Sequence, residues 1–255
     1  MKKLLLLLTV CLLAVGCAPM RLIEQLGIIT TYGADLLDNG QIENTIHYTK
    51  FDPNMTIPGQ SVNSISKTYK GGIDKANLKT SFELVPGQVR LKMFGNELAQ
   101  KGVMRFLTTH FRDATEPANI YIAISETTAK DILNYNNEIE VDISDFLYYL
   151  IDNNIKREIL PQSDLNDFIH KYNDVGTDPI QPLIKIQNQR PIVENVALFK
   201  NDMYVDSLAT SETFLIKLLI EDFRAGEKEI TLDRKTFEEF IFEDNDKHEK
   251  EELHV

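Results

Sequence analysis

The chain has 255 residues, 27 basic and 39 acidic side chains, and a net charge of −12. Such an acidic surface is not suited to bind nucleic acid or anionic headgroups. Both cysteines lie within the first 17 residues, so the rest of the chain has no disulfide and no cysteine-based metal site. The length and the hydrophobic fraction of 43% predict a core large enough to stabilise the fold without such cross-links. The chain is expected to form one large or two small domains.

The N-terminus has the order of a lipoprotein signal. Lys2 and Lys3 form a positive start, residues 4–13 are almost entirely apolar, and 14–17 (Ala-Val-Gly-Cys) resembles the bacterial lipobox, with Ala14 where Leu is usual. About eleven apolar residues are too few to cross a bilayer, which needs roughly twenty. We therefore expect removal of residues 1–16 and a palmitate-bearing diacylglycerol anchor on Cys17, which has enough acyl chains for stable attachment. An uncleaved anchor and a simple secretion signal are the alternatives.

After the signal, an opening hairpin is followed by alternating strands and helices. Asn39 and Gly40 separate two β-rich segments, 26–34 and 42–50, which predicts an antiparallel pair. Further predicted elements, in order, are a helix over 61–78, a half-buried strand over 88–94 with Lys92 on its polar side, a helix over 97–111, a strand over 120–124 and a helix over 127–134. This mixture predicts an α+β fold, with an antiparallel or mixed sheet and helices on one face, rather than a doubly wound parallel sheet.

The second half begins with a polar stretch that predicts a subdomain break near residues 134–142. The elements predicted beyond it are a helix capped by Asp142, a helix over 163–172, a meander of strands over 183–187, 193–200 and 203–208, and a helix over 211–224. This last helix is apolar nearly all round, so we expect it to need cover on more than one side. The charged run over 243–252 predicts a disordered acidic tail.

The sequence contains no recognisable catalytic or metal-binding motif. Its five histidines lack zinc spacing, and neither a phosphate loop nor a G-x-S-x-G elbow is present. Asp142 and Asp145 are interpreted as helix-capping residues rather than as paired catalytic carboxylates. We therefore predict a protein that is not an enzyme, with no catalytic residue, cofactor or metal.

Several segments resemble, in order, one known family. They are Gly16-Cys17 followed by 24–30, the strand, turn and helix over 89–103, Arg112-Asp113, the strand and helix over 120–133, and 195–200, where Asn195 replaces a usual Gly. Together they resemble the Ger(x)C family, the lipoprotein C subunits of spore germinant receptors. The resemblance spans about residues 16–208 and suggests a division into a signal peptide over 1–16, a Ger(x)C-like region over 17–210, and a remnant of a C-terminal domain over 211–255.

The resemblance implies a function without catalysis, which agrees with the lack of a recognisable catalytic motif in the sequence. Family members are non-enzymatic subunits held by lipid on the outer face of the spore inner membrane, where they assemble with two integral membrane subunits, of A and B type, that sense amino acids or sugars. Gly95, Glu97, Arg112 and Asp113 lie in the segment most like the family and are the candidate partner-contact residues. Members normally continue into a substantial C-terminal α+β domain, so the chain is expected to be shortened at its C-terminus.

Two other functions remain as alternatives. A solute-binding lipoprotein of a transporter would share the signal and the acidic exterior, but it would usually have two doubly wound lobes. A lipid-tethered hydrolase would need a nucleophile and base or a metal set, which the sequence does not present.

Overall fold

The computed structural model describes residues 23–51, 59–108, 117, 119–135 and 141–221. The strands are β1 (Leu26–Leu36), β2 (Ile42–Lys50), β3 (Gln60–Ile65), β4 (Glu83–Val85), β5 (Leu91–Gly95), β6 (Tyr121–Ser125), β7 (Ile180–Gln187), β8 (Arg190–Lys200) and β9 (Met203–Ala209). The helices are α1 (Tyr69–Asn77), α2 (Asn96–Ala99), α3 (Met104–Leu107), α4 (Ala129–Leu133), α5 (Ile143–Lys156), α6 (Leu165–Asn173) and α7 (Thr210–Ile220). Among the described residues no helix is long and apolar enough to span a membrane.

The nine strands of the described residues all belong to one mixed sheet. Its order is β3-β2-β1-β5-β6-β7-β8-β9, and the short β4 pairs with the start of β1. The four central strands β1, β5, β6 and β7 are parallel, while the antiparallel pairs β2–β3 and β8–β9 form the two edges. The predicted α+β class with a mixed sheet is confirmed, and so are the opening β1–β2 hairpin and the β7–β9 meander.

Helices cover both faces of the sheet, so the prediction of helices on one face is wrong. Within β5, Met93 packs in a core with α4 and α5, whereas the next residue, Phe94, packs in the larger core with α1, α2, α3 and α6. Parallel strands need such crossovers, and their helices enclose the centre of a sheet. The predicted half-buried strand is therefore buried on both sides. Lys92, expected on a polar face, is buried with its Nζ 4.0 Å from the centre of the Tyr69 ring.

The helix predicted over 61–78 is wrong in its first half, which forms the edge strand β3. Asn44 in β2 holds this region, because its Nδ2 donates hydrogen bonds to the carbonyl of Ser64 and the hydroxyl of Ser66, both at 3.1 Å. The helix begins only after Thr68, whose hydroxyl accepts from the backbone N–H of Gly71. The apolar spacing over 61–78 is typical of a helix, but residues 60–65 pair with β2 instead, because the hydrogen bonds of this pairing outweigh the local helical preference.

The helix predicted over 97–111 is also interrupted, because the described part contains two four-residue helices. Gly102 separates α2 from α3 with φ of +100°, which favours glycine, and a β-carbon there would lie 2.7 Å from Oδ2 of Asp202. Asp202, in the β8–β9 turn, accepts backbone hydrogen bonds from Val103 and Met104 at 3.0 and 3.1 Å. The turn of the meander therefore holds this segment. Residues 109–116 lie outside the described part.

The remaining predicted helices are confirmed as α4, α5, α6 and α7. Asp142 caps α5, as predicted, by accepting from the backbone N–H groups of Ser144 and Asp145. The strands on either side of the predicted break near 134–142 are neighbours in one sheet, since β6 pairs with β7. The domain boundaries stay predictions, and residues 1–16 and the charged run over 243–252 lie outside the described residues.

Candidate functional site

A cleft opens where three neighbouring parallel strands end. The chain segments that follow β1, β5 and β6 line it, and its volume is about 610 Å³. Its lining residues are Asp35, Leu36, Leu37, Asp38, Gly95, Asn96, Glu97, Leu98, Gln100, Glu126, Thr127 and Thr128. The carboxyl ends of parallel strands are the usual place for binding sites in α/β sheets. We refer to this set of residues as the acidic cleft.

Gly95 forms the floor of the acidic cleft, at the end of β5. The carboxylate of Asp35 passes so close to its α carbon that a β-carbon at position 95 would overlap Oδ1. The same β-carbon would also lie 3.3 Å from the carbonyl oxygen of Thr127. Position 95 therefore needs glycine because of the space around it, since its φ of −64° is ordinary.

Asp35 crosses Gly95 to reach the first turn of α4. Its two oxygens accept hydrogen bonds from the backbone N–H groups of Ala129 and Lys130, at 2.7 and 3.0 Å. The side chain is almost completely buried, and burial raises its pKa from 3.8 to about 6, although the two backbone donors oppose this. The charges of Glu43 and Asp131 act in the same direction as burial. Asp35 thus joins β1, β5 and α4 beneath the cleft.

The rim of the acidic cleft is tied together by amide side chains. The backbone N–H of Asn96 donates to the carbonyl of Thr127 at 3.0 Å, and its side chain donates to the carbonyl of Glu126 at 3.2 Å. Gln100 in turn donates to the Asn96 side chain at 2.7 Å. These bonds fix the turn after β5 against the turn after β6.

The charge of the rim is negative. Asp38, Glu97 and Glu126 are exposed around it, and the described lining residues include no lysine or arginine. Such a surface is suited to contact basic or hydrogen-bond-donating groups. Of the four predicted partner-contact residues, Gly95 and Glu97 lie in the cleft. Arg112, Asp113 and the predicted lipid site Cys17 lie outside the described residues.

A second polar cluster, which the sequence did not reveal, lies at the start of α5. His47 in β2 is buried, with Nε2 2.9 Å from Oδ2 of Asp142 and Nδ1 3.1 Å from the hydroxyl of Ser61. The same Asp142 oxygen accepts from the backbone N–H of Gly59 at 2.7 Å. A β-carbon at Gly59 would overlap this pair, so glycine is needed there for space.

Ser, His and Asp are also the residue types of a hydrolytic triad, but here the oxygens of Asp142 accept hydrogen bonds that stabilise the fold. Burial opposes ionisation of Asp142, but the His47 hydrogen bond and charge, with the Ser144 and Gly59 N–H donors, outweigh it and lower its pKa. Asp142 therefore holds three backbone segments at once: β2, the start of β3 and the first turn of α5. Asp145, the neighbouring acid, pairs instead with Arg90, which also lies over the ring of Tyr148. Within the described part of the chain, no three His, Cys, Asp or Glu side chains cluster as a metal ion would require.

Comparison with known proteins relates the chain to spore germination. Residues 19–186 match the family model described as the spore germination protein N-terminal domain. Spore germination protein GerQC of Bacillus cereus is 24% identical over 226 residues, which cover 89% of this chain and 63% of that protein. The crystal structure of the GerBC protein aligns with 82% of this chain and 61% of its own, at 15% identity and a TM-score of 0.36. The chain thus spans less than two thirds of either relative.

Proposed function

This chain belongs to the spore germination protein family whose N-terminal domain its residues 19–186 match, and on that basis we propose that it is a subunit of a nutrient germinant receptor. In this proposal it is non-enzymatic and anchored by lipid to the outer face of the spore inner membrane. It acts there with integral membrane subunits of A and B type.

The family match is the observation that carries the proposal. It covers β1 to β6 and all of β7 except its last residue, Gln187, and so includes the four central parallel strands and every residue of the acidic cleft. The curated relative is itself called a spore germination protein. This chain spans less than two thirds of each relative, so the activity and partners of the whole receptor are proposed for it rather than shown.

Attachment through Cys17 would place the sheet close to the membrane. Only residues 18–25 separate Cys17 from the first residue of β1, Leu26. Residues 23–25 form a 3-10 turn, and an extended chain spans at most about 3.5 Å per residue, so this tether reaches roughly 25 Å. Two acyl chains on Cys17 would suffice for stable anchoring, which agrees with an acidic chain that has little electrostatic attraction for anionic lipid.

The acidic cleft is the surface that we propose for contact with the membrane subunits. Its floor is rigid, because Asp35 and the Asn96 hydrogen bonds fix the three turns that form it. Its exposed acids would be complementary to basic side chains on a partner, and such complementarity affects the rate and specificity of association more than raw affinity. In this proposal Glu97 contributes charge at the rim, and Arg112 and Asp113 extend the same surface.

The proposal assigns no reaction to the protein. The hydrogen-bonded Ser, His and Asp side chains that we find among the described residues end on Asp142, whose two oxygens accept from the N–H groups of Gly59, Ser144 and Asp145. A role of Asp142 in stabilising the fold accounts for these contacts without a substrate. No feature of the described residues favours the alternative of a solute-binding lipoprotein, since their strands form one sheet rather than two lobes.

The test is genetic complementation in a spore-forming host from which redundant germinant receptors have been removed. Spores that lack the protein should lose germination in at least one amino acid or sugar mixture, and wild-type protein should restore it. Cys17→Ala should abolish palmitate labelling and most of the restored germination, whereas Cys11→Ala, within the signal, should leave both intact. Equal germination of deleted and complemented spores in every mixture would exclude the receptor role. Labelled Cys17→Ala protein would exclude only the anchor.

A further inference from the structure

The helix α7 packs Ile216 against the sheet together with two polar residues, whereas its leucines face outward. Lys217 and Thr213 are buried, with 3% and 1% of their surface exposed, whereas Leu219 is 86% and Leu215 57% exposed. Leu218 and Ile220 are exposed as well. A helix that packs on a sheet normally buries its leucines and presents its lysine to water. The four outward residues, 215 and 218–220, are called here the leucine face.

Lys217 holds the helix in this orientation. Its Nζ donates to the carbonyl of Leu160 at 2.8 Å, lies 2.5 Å from a carboxylate oxygen of Glu158, and has Glu221 at 3.7 Å. Turning the helix to bury the leucine face would remove Lys217 from these partners and leave buried charges uncompensated. The leucine face is therefore fixed outward, and only a further segment or molecule can cover it.

An apolar groove continues from the leucine face. It has a volume of about 300 Å³, and Ile220 forms its border with α7. Ile180, Leu198 and Phe199 contribute its apolar walls, and Lys171 lies at its polar end. The leucine face and this groove together form one apolar surface at the end of the helix.

The chain leaves the helix beside this surface, at a fixed point. Glu221 accepts a hydrogen bond from the backbone N–H of Gln162 at 2.9 Å and lies 3.5 Å from Nζ of Lys171. Residues 222–255 follow it in the sequence. Each extended residue spans about 3.3 Å and α7 is only about 16 Å long, so a stretch that begins at 222 reaches every part of the surface.

The sequence after Glu221 supplies matching apolar side chains before it becomes strongly charged. They are Ile230, Leu232, Phe237, Phe240, Ile241 and Phe242, and the charged run begins at Glu243. A covalently attached segment competes at an effective concentration in the millimolar range, well above that of a second chain. We propose that residues 229–242 of this chain bind across the leucine face and the adjoining groove. This inference does not depend on the germination role.

A photo-cross-linking amino acid at position 219 of the full chain tests the proposal directly. The matched control is position 78, because Leu78 is also 86% exposed but lies at the end of α1. The 219 probe should form intramolecular cross-links to residues 229–242, in a yield that does not depend on protein concentration, and the 78 probe should form none. Cross-links at 219 to a second copy, to detergent or lipid, or to no part of 229–242 would overturn the proposal.

Variants on the other side of the contact give an independent check. Phe240→Ser with Phe242→Ser should reduce the 219 cross-link at least fivefold and accelerate hydrogen exchange in peptides from α7. The control pair Lys247→Ser with Lys250→Ser lies in the charged run and should change neither. Circular dichroism should show the same fold in all variants, since all four substitutions lie after α7 and leave the residues of the sheet and its helices unchanged. An unchanged cross-link yield in the phenylalanine variant would also count against the proposal.

Discussion

The carboxylate of Asp35 lies directly over the α carbon of Gly95, in space that any side chain at position 95 would occupy. Asp35 extends from the end of β1 across the end of β5 to the first turn of α4, where it accepts two backbone hydrogen bonds. Because Gly95 has no side chain, the carboxylate of Asp35 can connect β1, β5 and α4. This contact also shapes the floor of the acidic cleft.

Gly95→Ala is expected to destabilise the fold by about 2–4 kcal/mol, because the methyl group must displace Asp35 from its two buried N–H partners. Urea unfolding at pH 7 measures this change. The comparison is a double-mutant cycle with Asp35→Ala, in which the added cost of Gly95→Ala should fall below about 1 kcal/mol. Additive costs would mean that the two residues do not interact as described.

Asp35 should also give the stability a distinct pH dependence. Its pKa of about 6 in the fold lies above the ordinary 3.8, so the folded state takes up a proton first as the pH falls. The free energy of unfolding should therefore rise by roughly 2–3 kcal/mol as the pH falls from about 6 to about 4. The cost of burying the ionised carboxylate should be fully present above about pH 7. NMR titration of the carboxyl carbon gives the pKa. In Asp35→Asn this component of the pH dependence should vanish, and a midpoint near 4 in the wild type would refute the prediction.

Asp142→Ala should cost more than the loss of an ordinary helix cap. Asp142 caps α5 and also binds His47 and Gly59, so we expect about 3 kcal/mol. Asp164, which caps α6 through the N–H of Asp167, is the control, and Asp164→Ala should cost about 1 kcal/mol. Because the pKa of Asp142 is lowered, its contribution should be present above about pH 4 and lost as the pH falls further. Similar costs for the two variants at pH 7 would argue against the three-way contact.

Glu97→Lys is expected to weaken co-purification with the membrane subunits at least threefold, because it reverses a charge on the rim of the acidic cleft without removing a described hydrogen bond. Arg112→Glu should have a comparable effect if the proposed surface extends to residue 112. The control is Asp174→Lys, an exposed charge reversal at the end of α6. Thermal unfolding establishes that the variants are folded. Full recovery of the subunits with well-folded Glu97→Lys would leave the cleft without its proposed role.

Elements with a local signal could be predicted from the sequence. The Asn39-Gly40 turn, the Asp142 cap and the meander of β7 to β9 all depend on neighbouring residues, and all three are present. Helix spacing gave the wrong structure for the first half of 61–78, because β3 is an edge strand whose residues are mostly half-buried and so lack strict alternation. Its pairing with β2 is a tertiary contact that the local pattern does not contain.

The candidate site depends on contacts between distant residues, which explains why only part of it was predicted. Gly95 and Glu97 were found through a resemblance, but Asp35 is 60 positions from Gly95 and has no motif around it. His47 and Asp142 are 95 positions apart and meet only after the sheet has formed. Lys92 was expected in water because a strand pattern cannot show that helices cover both of its faces.

The position of β1 in the sheet affects how the protein is made. One edge of β1 pairs with β2, the next strand to be synthesised, but the stretch over residues 31–34 pairs with residues 91–94 on the other side. At roughly 5–20 residues per second, the ribosome needs several seconds to supply that partner. During this interval a newly made hairpin has an open, largely apolar edge of the kind that pairs with other chains. A chaperone that covers this edge during synthesis should therefore raise the yield of folded protein, even though β1 lies in the interior of the finished sheet.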